Sequence, residues 1–133
     1  MYGFTTSLPG SFSDVIEQVT EALKKEGFGI LSDIDVQATL KNKLDLDYPA
    51  YRILGACNPS FANRALTTDI DLGLLLPCNV VVRQEQDNTV TVAFMDPVAV
   101  LEIANQKEVT DIAKQVRIRL EQAQKALEAS KHQ

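Results

Sequence analysis

At 133 residues the chain suits one domain, 1–133, and its 45% hydrophobic content argues against intrinsic disorder. A net charge of −5, with 13 Lys and Arg spread along the chain, disfavours nucleic-acid binding and docking on anionic lipid. No apolar run approaches the ~20 residues of a membrane span, and Met1-Tyr2-Gly3-Phe4-Thr5-Thr6 lacks the basic start and apolar block of a secretory signal. The expected location is therefore cytoplasmic.

Residues 2–6 alternate weakly and read as a short strand, closed by Leu8-Pro9-Gly10. Ser11 then offers an N-cap, with Asp14 three residues on. Val15, Ile16, Val19 and Leu23 fall at helical spacing, and Gly27 stands where a left-handed cap ends such a helix. Residues 28–34 read as a second strand. Asp35 can cap a short helix over 36–44, whose Val36, Leu40 and Leu44 share one face.

Tyr51 to Cys57 reads as a third strand. Asn58 then serves as a cap and Pro59 as the first helical residue of a helix reaching Thr68. Residues 74–85 read as a fourth strand, bent or bulged at Pro77 because proline cannot donate to a ladder. Gln86-Asp87-Asn88 makes a turn, and Thr89 to Met95 alternates as a fifth strand, with Val90, Val92 and Phe94 on one face. Asp96-Pro97 repeats the cap-plus-proline device for a helix over 98–104. Asn105-Gln106-Lys107 interrupts it, and a long helix follows over 108–130, with Lys131-His132-Gln133 as a frayed tail. No internal repeat or low-complexity segment interrupts this order. It predicts an α+β architecture, an antiparallel sheet covered by helices, with short extra helices.

The only two cysteines mark the most distinctive pattern. Each is followed by asparagine and stands beside a proline: Ile53-Leu54-Gly55-Ala56-Cys57-Asn58-Pro59 and Leu74-Leu75-Leu76-Pro77-Cys78-Asn79-Val80. The third strand ends at Cys57 and the fourth begins near Cys78. If they pair antiparallel, an end lies beside a start, and the two junctions meet at one mouth of the sheet.

These segments, together with Ile34-Asp35-Val36-Gln37-Ala38-Thr39-Leu40-Lys41 and the sequence around Asp96-Pro97, resemble the uncharacterised family called domain of unknown function 302. The likeness covers nearly the whole chain. It implies a two-layer β-α-β(4)-α fold of the TATA-binding-protein-like type, often found as a homodimer. It implies no activity, cofactor or set of active residues, and fold similarity to a DNA-binding protein says nothing about DNA here.

Read from the residues, the candidate site is a small-molecule or soft-metal site formed by Cys57, Asn58, Pro77, Cys78 and Asn79, with Arg64 as an anion clamp on the following helix. The metal version uses Cys57 and Cys78, although a zinc site wants about four ligands. The leading reading is a non-enzymatic binding module with no cofactor identified. Two alternatives stand beside it: a thiol/disulfide redox protein using Cys57 and Cys78, and a dimeric interaction protein with no small-molecule site. Ile118, outside the stripe of the last helix, would suit a dimer contact. Asp96 reads as a helix cap that would need burial or a partner to act as a base. Tyr48 and Tyr51, flanking Pro49, would wall a pocket or pack half-buried. The one histidine, His132, stands at the end of the chain, so a Ser-His-Asp or Cys-His arrangement is not expected. No glycine cluster resembles a phosphate-binding loop.

Overall fold

The protein is described by a computed structural model over residues 1–130, and the tail Lys131–Gln133, with His132, lies outside the described residues. Five strands, β1 (Gly3–Leu8), β2 (Gly29–Asp35), β3 (Tyr51–Cys57), β4 (Cys78–Gln84) and β5 (Val90–Met95), form one antiparallel sheet in the order β1-β5-β4-β3-β2. Five α-helices accompany them: α1 (Phe12–Lys25), α2 (Val36–Leu44), α3 (Pro59–Thr68), α4 (Pro97–Leu101) and α5 (Lys107–Ser130). Helices α1 and α5 lie on the sheet, and α3 and α4 pack against α5. This is the α+β arrangement expected from the sequence, and with α2, α3 and α4 counted as extra helices it has the β-α-β(4)-α order that the resemblance implies.

The sheet is built by alternation. Leu54 and Ala56 on β3, Cys78, Val80 and Val82 on β4, and Val90, Val92 and Phe94 on β5 point into the core beneath the helices. Burying each such valine or leucine contributes about 1.5–3 kcal/mol before chain entropy is subtracted. From the helical side, Val15, Val19 and Leu23 of α1 and Val109, Ile112, Val116, Leu120 and Leu127 of α5 complete the core. Phe4 stacks on Phe94 with ring centroids 5.3 Å apart. Strand β1 runs two residues further than the alternation suggested, because Thr6, Ser7 and Leu8 continue to pair with Val92, Thr91 and Val90.

Helix ends follow local chemistry. The Ser11 hydroxyl accepts from the Asp14 amide at 3.1 Å. At the other end of α1, Gly27 adopts φ +86 while its N–H bonds Lys24 O and that of Phe28 bonds Leu23 O, both at 3.0 Å. This pair of bonds closes the last turn, and buried Phe28 and Leu23 supply the accompanying apolar contact. Asp35 caps α2 through the Ala38 amide at 2.9 Å.

The structure corrects one element. Residues 70–75, expected in part as the start of the fourth strand, form a 3-10 helix, and β4 begins only at Cys78. Asp69 accepts from the Asp71 amide at 3.0 Å, and the Leu76 amide bonds Gly73 O at 3.3 Å. These local bonds turn the Leu-rich run into a tight coil before Pro77, whose peptide with Leu76 is cis. The irregularity expected at Pro77 lies instead in edge strand β2, where the register shifts between Ile30 and Ser32 and leaves Leu31 unpaired. The helix expected over 98–104 is α4 followed by a 3-10 turn, Glu102–Ala104, and Asn105 at φ 50 ends it.

Candidate functional site

Two features of pairing bring the cysteine junctions together. Strand β3 pairs β4 with Ala56 opposite Cys78, and β2 pairs β3 with Gly29 opposite Cys57. Cys57 is thus one residue beyond the partner of Cys78, at the same end of the sheet. Helix α3 starts immediately after it. The Asn58 side chain accepts from the Phe61 amide at 3.4 Å, and Pro59 occupies the first turn, where a missing N–H costs nothing. Asn58 also packs on the end of α1: a Cβ placed on Gly27 would come within 2.8 Å of its Nδ2.

Between this corner and the helices lies a cavity of about 430 Å³. From the sheet, Ala56, Cys57 and Cys78 form its floor, with Leu31 and Ser32 of the β2 bulge at one side. Asn58, Phe61, Ala62, Ala65 and Leu66 of α3 and its cap form a wall. Leu76 and Pro77 enter from the segment before β4, and Leu101, Ile112 and Val116 close the back. Three of the lining side chains, Ala56, Ala62 and Ala65, are small.

Gly55, on the β3 face away from the cavity, sets how closely the neighbouring segments approach. A Cβ at this position would collide with Ser32 Oγ and lie 2.8 Å from the Pro77 ring. Glycine is therefore needed for close approach, since β2 and the Pro77 turn both fold over the same stretch of β3.

The two thiols are free and differ in environment: Cys57 is half-buried and Cys78 is buried. Burial, with a smaller push from a charge on Cys57, raises the Cys78 thiol to about 12. Cys78 therefore carries its proton at neutral pH. A protonated thiol is a poor nucleophile and a poor metal ligand. Among the described residues no group of three or more His, Cys, Asp or Glu is arranged to hold a metal ion.

Not every residue singled out from sequence reaches this cavity. Cys57, Asn58, Pro77 and Cys78 line it. Asn79 is exposed on the opposite sheet face, across from Gly55, because successive residues of a strand alternate sides. Arg64 lies outside as well. Its Nη1 donates to Gln115 Oε1 at 3.2 Å, its guanidinium sits 5.7 Å from the Phe61 ring centroid, and it borders a separate depression with Glu108 and Asp111. Tyr48 and Tyr51 meet edge-on at 6.2 Å, away from the cavity. Asp96 is the helix cap that the sequence suggested, and its partner is a cation. It is 8% exposed, caps α4 through the Val98 amide at 2.9 Å and pairs with Arg117 Nη1 at 3.2 Å. Sequence reading missed the back wall from α5 and the role of Gly55. The buried stripe of α5 was visible, but which of its residues face the strand ends is a property of packing.

The sequence profile described as "Domain of unknown function DUF302" matches residues 4–127. The crystal structure of an uncharacterized conserved DUF302 protein from Bacillus stearothermophilus is similar, with a TM-score of 0.88 and 31% identity over 96% of this chain and 98% of that one. No curated protein matches the chain. With the profile spanning nearly its whole length and a structural neighbour of the same description, the chain belongs to the DUF302 family.

Proposed function

We propose that the chain is a binding module that takes a small molecule into the cavity at the Cys57-Asn58 and Pro77-Cys78 corner. The observation that carries this reading is the cavity itself: about 430 Å³, within the range of small-ligand sites, and lined almost wholly by apolar groups. No carboxylate, histidine or amine stands on its wall to move a proton, which favours binding over catalysis. A soft-metal site has less support, since two thiols stand without further ligands among the described residues and one of them stays protonated. The redox version meets the same objection. The neutral dye N-phenyl-1-naphthylamine tests the proposal. Its fluorescence rises on entering an apolar pocket, and Ala62→Phe, which adds a ring on the α3 wall, abolishes the rise while the circular dichroism spectrum is unchanged. A dye signal untouched by Ala62→Phe overturns the assignment.

A second reading concerns self-association. The sheet face away from α1 and α5 carries a row across all five strands: Ile34, Ile53, Val81, Ala93 and Thr5. Helix α2 buries none of its residues. The one cation of this face, Arg83, pairs at 3.0 Å with the carboxylate of Glu85, two residues on and just past β4, so the two charges offset each other. An acidic chain can therefore meet a second copy there without repulsion. Five strands of six or seven residues give a footprint of roughly 24 by 20 Å. Two copies would bury about 1,000 Å², the least a specific interface needs. Light scattering after size exclusion reads a dimer for the wild type and a monomer for Val81→Asp. A monomeric wild type at high concentration rejects this reading.

A further inference from the structure

Resting on the pocket reading, we propose that the site selects uncharged, mostly hydrocarbon molecules and rejects carboxylates and amines of the same shape. The cavity holds on the order of 14 water-sized units, which suits a ligand of about 10–20 non-hydrogen atoms.

The selectivity follows from which charges could be met inside. None of the lining residues carries a charge. The natural place for an anion is the start of α3, where free amide groups and the helix dipole would favour it. That end is disarmed. Pro59 has no N–H, the Phe61 amide is taken by Asn58 Oδ1 at 3.4 Å, and the Ala62 amide by Asn58 O at 2.9 Å, which leaves only the amide of Ser60, an exposed residue outside the cavity lining. Arg64, the one cation within α3, gives Nη1 to Gln115 and lies outside the cavity. An ammonium group fares no better, because no carboxylate lines the wall. A charge taken from water into such a space is left without a partner, and that is costly. A hydroxyl or carbonyl, by contrast, is far cheaper to bring out of water than a charge.

Displacement of bound N-phenyl-1-naphthylamine by 1-decanol, decanoate and decylamine, at neutral pH and below their micellar concentrations, tests the inference. Decanol is expected to displace the dye at a concentration at least tenfold below either charged analogue, a difference of about 1.4 kcal/mol. Ala62→Lys, which places a cation on the wall, is expected to reverse the order in favour of decanoate. If decanoate or decylamine matches decanol, or decanol fails to displace the dye, the neutral class is wrong while the pocket stands. If the dye itself does not bind the wild type, the pocket reading falls and takes this inference with it.

Discussion

Gly55→Ala opposes two effects whose sizes decide its sign. In a strand with room for a methyl group, replacing glycine stabilises by about 0.4–1 kcal/mol, because the unfolded chain loses freedom. At Gly55 the new Cβ meets Ser32 Oγ in collision and the Pro77 ring at 2.8 Å. Gly55 lies between β2 and β4 and cannot retreat without breaking pairs on both sides. Overpacking of this kind costs about 1–3 kcal/mol, so the clash wins. With a melting entropy near 2.1 cal/mol/K per residue, the 133-residue chain changes by about 280 cal/mol/K. Each kcal/mol then moves the midpoint by ~3.6 °C; with the entropic gain subtracted, the net loss is up to about 2.6 kcal/mol and the expected fall up to about 9 °C. Adding Ser32→Ala removes the Oγ collision, leaves that residue's Cβ at an ordinary 3.5 Å, and keeps the Pro77 contact. The double variant should therefore recover part of the loss, with a coupling of about 0.5–1.5 kcal/mol between the sites. Calorimetry measures the midpoints, and dye titration reports whether the displaced Pro77 ring weakens the pocket. If Gly55→Ala melts at or above the wild-type temperature, the close approach is not what requires glycine here.

The two cysteines should separate chemically. Iodoacetamide at mildly alkaline pH should modify half-buried Cys57 in the folded chain and leave Cys78 untouched, read by peptide mass spectrometry; equal labelling would contradict the buried, protonated thiol. Because the folded Cys78 value lies near 12 against an ordinary value near 9.0, its contribution to stability is complete below about pH 9 and is lost as pH rises toward 12. Cys78→Ala should accordingly flatten the alkaline limb of the denaturation curve, and an unchanged limb would count against the assignment. Thr6 Oγ1 is buried without a hydrogen-bond partner among the described residues. Thr6→Val should therefore raise stability by about 1 kcal/mol in urea unfolding, whereas a loss would mean that the hydroxyl has a partner.

The cap-and-proline devices at Ser11, Asn58-Pro59 and Asp96-Pro97, the apolar alternation of β5 and the stripe of α5 are all legible along the chain. They are local: a cap acts within three residues, and a stripe repeats every turn. Leu74-Leu75-Leu76 misled for a related reason. Its composition favours a strand, yet in the folded chain the bonds made by Asp69 and Gly73 hold the segment in a coil instead. The Cys57 and Cys78 junctions could be paired only conditionally from sequence. Their meeting depends on the Ala56–Cys78 register, which long-range packing selects. The same packing turned Asn79 outward, carried Arg64 to Gln115, and gave Asp96 its partner Arg117, 21 positions away. By itself, then, the sequence determined the elements, the sheet class and the pair of junctions. Only the tertiary structure decided the cavity, because an empty space is set by what packs around it, and its walls come from segments more than fifty residues apart.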